Sequence, residues 1–318
     1  MLCRNQRKYA FLLIILLGIG QSFLFAETWT DPFTDGRSHL GFHARQPQWA
    51  PDAVAFITTD HPEWGYADDP VRNNPSGDGC VMRVGNSDGT YWGLAEATLS
   101  SSEQGEFEGL TDVRVEAWVY CLASPNIRAR VGLYVRDTSD RFPDSLGNGE
   151  EAFPPQVHYD SSVYSGPGFG TSGFNTAVQD ERGNISTVPG SSGYALVLSS
   201  GHGETRINDL FNRTVLTENR WIKMFAHAVG NTLTVGADVD GDGEYEAGPP
   251  GRSEIAFYPD IRNYDSEGHV IDANDRGRVG CFAVVTIPES ATGVPDMPAL
   301  FDDVMITTGA AVTDWSLH

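Results

Sequence analysis

The densest run of chemistry-bearing side chains is Asp238-Val239-Asp240-Gly241-Asp242-Gly243-Glu244-Tyr245-Glu246. Carboxylates at alternate positions followed by glycine can fold oxygen ligands around one small loop, as in the first half of an EF-hand. Gly243 stands at the sixth position, where the loop must bend sharply. Pro249 stands at the twelfth, where an EF-hand has its bidentate Glu, and no flanking helical pattern is present. Three carboxylates so close repel one another unless a cation lies among them. Asp238, Asp240, Asp242, Glu244 and Glu246 are therefore expected to hold a structural Ca2+; the alternative is a solvated acidic hairpin tip.

A second set of side chains emerges from strand alternation. In Val113 to Leu122, the apolar Val113, Val115, Ala117, Val119 and Cys121 alternate with Arg114, Glu116, Trp118 and Tyr120. In Ile127 to Arg136, Ile127, Ala129, Val131, Leu133 and Val135 share one face, and Arg128, Arg130, Tyr134 and Arg136 share the other. The connection Ala123-Ser124-Pro125-Asn126 has hairpin length, so the two stretches are expected to pair and bring their non-core faces together. Aromatic rings stack on the apolar faces of sugars, and Arg forks bind carboxylate or sulfate bidentately. That face is expected to bind a glycan, an acidic polysaccharide included. The bland alternative is a solvated sheet face whose arginines pair with surplus carboxylates.

These residues sit in a chain dominated by period-2 segments. Further strands are expected at Gly193 to Ser199, Trp221 to Val229, Thr232 to Val239, Val279 to Thr286 and Asp303 to Thr307, with Gly230-Asn231 as a tight turn. No run of a dozen residues keeps a helical period. Many Gly (35) and Pro (18) residues supply turns. The expected fold is all-β, an antiparallel sandwich or jelly roll with long loop insertions. Asp137 to Pro189 reads as a loop-rich insertion, and Trp29 to Asn74 as a loop region pinned by Trp29, Trp49, Trp64 and Tyr66.

The chain has 318 residues, 43 acids against 21 Lys and Arg, and a formal net charge of −22. So acidic a chain does not hold a phosphate backbone by bulk electrostatics, which excludes nucleic acid as a main partner. Hydrophobic content of 40% and aromatic content of 11% exclude a disordered acidic tail. Residues 1–26 read as a signal peptide: Arg4, Arg7 and Lys8 precede the apolar run Ala10 to Gly20, and Ala26 ends the segment. Residues 27–318 are then expected to form one exported domain, secreted or periplasmic, without a membrane span. Of the remaining cysteines, Cys80, Cys121 and Cys281, either two form a disulfide or all three are buried thiols. His39, His43, His61, His202, His227 and His269 show no zinc-site spacing, and no phosphate loop or nucleophile elbow is present.

The order of these features resembles a concanavalin A-like lectin/glucanase jelly roll of the laminin-G-like type. The matching elements are Asp31-Pro32-Phe33-Thr34-Asp35-Gly36, Val113 to Val119, Val131 to Arg136, Gly193 to Leu196, Arg220 to Lys223, Gly230 to Leu233, Gly277 to Gly280 and Phe301 to Val304. The resemblance implies a sandwich that hosts lectins, adhesion modules, hydrolases and lyases. It also implies a structural Ca2+ where first and last strands meet, with Asp302 or Asp303 opposite Asp31 or Asp35, or else acids that cap turns there. The glucanase pattern Glu-x-Asp-x-x-Glu is absent, and Glu116 has no carboxylate partner on its strand. The lyase branch implies the set Arg114, Gln156, His158 and Tyr134, by the order of Arg and Gln-x-His. The expected function is a calcium-stabilised carbohydrate-binding or adhesion module. A polysaccharide lyase or hydrolase, or a structural envelope or matrix protein, are the alternatives.

Overall fold

A computed structural model describes residues 27–45, 54–66, 68–84, 90–96, 111–121, 128–137, 159–165, 176–179, 185–188, 195–199, 210–212, 220–238, 240–246, 254–258, 263–264, 267–272, 276–286 and 298–309. In chain order the strands are β1 (Glu27–Asp31), β2 (His43–Arg45), β3 (Val54–Ile57), β4 (Val81–Val84), β5 (Thr90–Glu96), β6 (Val113–Cys121), β7 (Arg128–Asp137), β8 (Tyr159–Ser165), β9 (Thr176–Gln179) and β10 (Ile185–Val188). There follow β11 (Ala195–Ser199), β12 (Leu210–Asn212), β13 (Arg220–Val229), β14 (Thr232–Asp238), β15 (Ile255–Tyr258), β16 (Asn263–Tyr264), β17 (Val270–Asp272), β18 (Arg278–Thr286) and β19 (Ala299–Thr308). One eight-stranded sheet runs β15-β14-β13-β6-β19-β4-β3, with β1 also pairing β19. A seven-stranded sheet runs β12-β11-β8-β7-β18-β5-β2. All the pairings are antiparallel, and two small two-stranded ribbons complete the set.

The alternation read from the sequence explains the core. Val113, Val115, Ala117 and Val119 of β6 are fully buried, and they share one cluster with Val131, Leu133 and Val135 of β7 and Val279, Cys281 and Ala283 of β18. Each sheet thus turns one apolar face toward the other, which is the arrangement that period-2 patterning allows. β13 and β14 form the expected hairpin, with Gly230 at φ 52° in its turn. First and last strands do meet, Glu27 to Asp31 lying against Val304 to Thr308.

Two expectations are corrected. β6 and β7 do not pair: β6 lies between β13 and β19, and β7 between β18 and β8. Their connection crosses from one sheet to the other, so their apolar faces oppose and their polar faces lie on opposite sides of the sandwich. Alternation fixes the faces of a strand but not its partner, and two strands that share a core read alike whether adjacent or stacked. Second, the stretch from Asp137 to Pro189 contains β8, β9 and β10, and β8 is an inner strand between β7 and β11. Its sequence, YDSSVYS, is too polar to signal a strand by hydrophobic alternation.

Candidate functional site

The acidic loop grows out of the end of β14. Asp238 is buried, and its two carboxylate oxygens accept hydrogen bonds from the Gly241 and Gly243 amides at 2.7 and 3.0 Å. Gly241 and Gly243 take φ of 82° and 93°, left-handed values that favour glycine. The side chain of Asp240 accepts from the Asp242 amide, and Asp242 from the Glu244 amide. The loop therefore coils around the buried Asp238 carboxylate. Asp238, Asp240 and Asp242 bring ligand atoms within 4.8 Å of one another, as do Asp240, Glu246 and Glu254.

Glu254 is the residue the sequence reading missed. It precedes β15, which pairs with β14, so the hairpin returns it beside the loop's start. The Ala237 amide donates to the Glu254 carbonyl and the Glu254 amide to the Glu246 carbonyl, at 3.0 and 2.8 Å. Its side chain is buried and faces the Asp240 and Glu246 amides. The EF-hand count ends at Pro249; the signal that finds Glu254 is its position directly before the strand partnering Asp238. Hydrogen bonding with Glu254, then burial and the neighbouring acids, pushes the Glu246 carboxyl up to about 7. Carboxylate oxygens brought this close together are the kind of donor set a hard cation takes. Glu244 is exposed and belongs to neither group of ligand atoms.

Tyr245 anchors this loop to the outer face of the eight-stranded sheet. Its ring packs edge-on against Phe225, with centroids 4.7 Å apart. Phe225 can lie there because Gly236, on the neighbouring strand, has no side chain; a Cβ would meet Phe225 at 2.4 Å. The Arg114 guanidinium covers the Phe225 ring at 4.0 Å and pairs with Glu116, which also binds the Lys223 ammonium at 2.7 Å. Burial pushes the Glu116 carboxyl up, but the two cations outweigh it and hold it below the ordinary value.

The face expected to be open at Arg114, Glu116 and Tyr120 is therefore closed: all three are buried. Tyr120 donates to Asp68 and packs edge-on between Tyr66 and Trp221, under the loop that carries the buried Trp64. Trp118 alone of that set is half-exposed. It lies in register between Lys223 of β13 and Asp302 of β19.

The β7 set is likewise redistributed. Tyr134 is fully buried, with its ring tilted against Phe282. Arg136 is also buried, because a bulge opposite β18 puts it at φ 57°. Its guanidinium donates to the carbonyls of Thr111 and Gly230, both belonging to the other sheet's connections. Arg128 and Arg130 stand at register positions opposite Thr286 and Val284. Of the lyase set, Arg114 and Tyr134 belong to different sheets and are both buried, and Gln156 and His158 lie outside the described residues.

Asp31 and Asp302 flank the meeting of first and last strands, but each is engaged by hydrogen bonds. Asp31 accepts from Ser38 and from the Phe33 and Leu40 amides. Asp302 accepts from Asn74 and the Ser76 and Asp303 amides at 2.9 to 3.0 Å. Asp35 accepts from the Arg37 amide, and a bulge holds Asp303 at φ 47°. Neither Asp302 nor Asp303 joins a group of three ligand atoms among the described residues. Asp302 thereby ties the Asn74 and Ser76 turn to β19. Cys80 and Cys281 are free buried thiols, so no bridge joins them.

No protein-family model matches the chain, and no curated protein matches it significantly. Among solved structures, the metal-free exoplasmic/lumenal domain of VIP36 is 12% identical, with 91% of this chain and 93% of that one covered at a TM-score of 0.41. Lectin II from Ulex europaeus is 10% identical over 90% and 98% of the two chains, TM-score 0.41. The CBM2 module of the Lactobacillus casei BL23 phage J-1 evolved Dit is 9% identical over 90% and 96%, TM-score 0.39. At such distances no ligand carries across. By its own strand order, with two antiparallel sheets stacked on one core and its first strand paired to its last, the chain is an antiparallel β-sandwich.

Proposed function

We propose that the protein is an exported carbohydrate-binding module whose acidic loop is held by Ca2+. The observation that carries the glycan reading is Trp118, half-exposed on a sheet face whose neighbouring side chains are fixed in place. Lys223 is tied to Glu116, and Glu116 to Arg114. Asp303 is set by its bulge. An indole flanked by preset polar groups is what a sugar ring needs, with its C–H face on the ring and its hydroxyls at the rim. Asp238, Asp240, Asp242, Glu246 and Glu254 would hold the calcium, which would supply charge neutralisation and fix the loop that carries Tyr245.

An acidic glycan would find its support on the other sheet. On the seven-stranded sheet Arg130 lies in register with Tyr164 and Val284, and Val284 with Trp92. One transverse row thus carries two aromatic residues and an arginine, and Arg128 stands two positions along the same strand.

A panel of immobilised glycans, read for retention and for released ends, tests the reading. Retention without cleavage, weakened at least tenfold by Trp118→Ala, is expected. Cleavage would support the enzyme alternative, and neither retention nor cleavage would support a structural protein. The calcium arm is read by melting: chelator should lower the midpoint, and Glu254→Gln should remove that difference. An unchanged midpoint would sink it.

A further inference from the structure

We propose that the side-chain amide of Asn74 closes the junction beside the last strand in place of the structural Ca2+ expected at Asp302, so that this junction takes no ion. Asn74 opens the turn before β4, where its carbonyl accepts from the Gly77 amide, and it is 5% exposed. Its Nδ2 is surrounded by four oxygens: Ser76 Oγ at 2.7 Å, Asp78 Oδ1 at 2.9 Å, the Cys80 carbonyl at 2.9 Å and Asp302 Oδ2 at 3.0 Å. Two carboxylates, a carbonyl and a hydroxyl converging on one point are the donor set of a hard cation. Here nitrogen occupies that point. An –NH2 group has only two hydrogens for the four oxygens, so it is caged as an ion is, from several sides.

The amide is fixed the way round that keeps its oxygen away from the cage. The Gly79 N–H, which only donates, meets Asn74 Oδ1 at 3.0 Å. A flipped amide would set Nδ2 against that N–H and Oδ1 against four oxygens. The carboxylates are also engaged by further donors. Asp302 Oδ2 accepts from the Ser76 amide and its Oδ1 from the Asp303 amide, both at 2.9 Å. Asp78 Oδ1 accepts from the Ser76 hydroxyl and the Cys80 amide, at 2.9 and 2.8 Å. Asp31, the expected partner of Asp302, accepts instead from Ser38 and the Phe33 and Leu40 amides. An ion entering the cage would have to expel the amide, because Ca2+–oxygen distances of about 2.3–2.6 Å leave no room for both. Removing the amide leaves the two carboxylates facing one another across an empty centre, a repulsion that a cation would relieve.

The test is thermal melting of the full chain at neutral pH, with Ca2+ and with chelator. Four proteins are compared: the wild type, Asp302→Asn, Asn74→Ser and the double variant. Whatever the acidic loop contributes is common to all four. The wild type and Asp302→Asn are expected to show equal Ca2+-induced shifts of the midpoint. Asn74→Ser should melt lower in chelator and gain an additional Ca2+-induced shift of about 5 °C or more. The double variant should lose that addition, because the ion then lacks the Asp302 carboxylate. A wild-type shift that shrinks in Asp302→Asn overturns the proposal, since an ion would already be using that carboxylate. So does an Asn74→Ser variant without the additional shift. Should Asn74→Ser fold in neither buffer, the comparison of the wild type with Asp302→Asn decides alone, and it does so whether or not the acidic loop binds Ca2+.

Discussion

Arg114 and Glu116 are a buried ion pair on a sheet face, an expensive arrangement unless every charge is matched. Arg114 is 4% exposed and depends on Glu116 for neutralisation, and Glu116 in turn binds Lys223. Glu116→Ala should therefore cost about 3 kcal/mol or more, since it strands a buried guanidinium. The double variant Arg114→Met/Glu116→Leu should recover much of that loss. Urea unfolding of the single and double variants checks the difference. Asp302 gives a second prediction at this scale. Burial, more than the bonds and charges around it, pushes its carboxyl up to about 6 from 3.8. The folded chain thus binds this proton more tightly than the unfolded one, and Asp302 supports the fold most below about pH 4. That support is lost as pH rises through about 6. Relative to Asp302→Asn, the wild type should lose about 1–2 kcal/mol of stability between pH 4 and pH 7. A pH-independent difference between the two would contradict the placement of that carboxyl.

At the scale of elements, the acidic loop and β15 form one unit. Gly236 is the hinge of that packing: an added Cβ would lie 2.4 Å from the Phe225 ring and 2.8 Å from the Glu254 carbonyl. The ring can give, but the backbone carbonyl is held by the Ala237 amide. Gly236→Ala is expected to destabilise the fold by about 1–3 kcal/mol. It should also weaken calcium binding, because it pushes away the strand that delivers Glu254. Isothermal titration with Ca2+ alone checks the second effect, and unaltered affinity would separate Glu254 from the loop. Most of the carboxylate cluster was legible: Asp238, Asp240, Asp242 and Glu246 stand in a local motif, whereas Glu254 is brought in by strand pairing. Strands such as β6, β13 and β18 were legible because one face of each meets the core. β8 was not, since its pairing with β7 and β11 rests on backbone bonds that a polar sequence does not announce. Local patterns likewise could not tell that Trp118 would be half-exposed while Arg114, Glu116 and Tyr120 are covered by Phe225, Tyr245, Tyr66 and Asp68.

At the scale of the molecule, two sheets share one core, and Arg136 is a polar tie between them. It belongs to β7, yet its guanidinium reaches the Thr111 carbonyl before β6 and the Gly230 carbonyl in the β13–β14 turn, with the latter bond at 2.7 Å. Asp112 stands 4.0 Å from it, and the side chain is fully buried. The reach depends on the bulge that sets Arg136 at φ 57°, and the bulge depends on Gly277, where a Cβ would fall 2.4 Å from the Arg136 backbone. Removing the guanidinium leaves two carbonyls at the sheet junction without their donor, and each such loss costs about 1–3 kcal/mol. Arg136→Met, which keeps most of the apolar stem, should therefore lower stability by about 2–5 kcal/mol. Gly277→Ala should act in the same direction, by displacing the bulge rather than by removing the donor. Because the tie holds two sheets that bury a common core, the loss should appear as a lower midpoint of one cooperative transition with unchanged denaturant dependence. Separate transitions for the two sheets, or a midpoint indifferent to Arg136, would show that the sandwich is held by apolar packing alone.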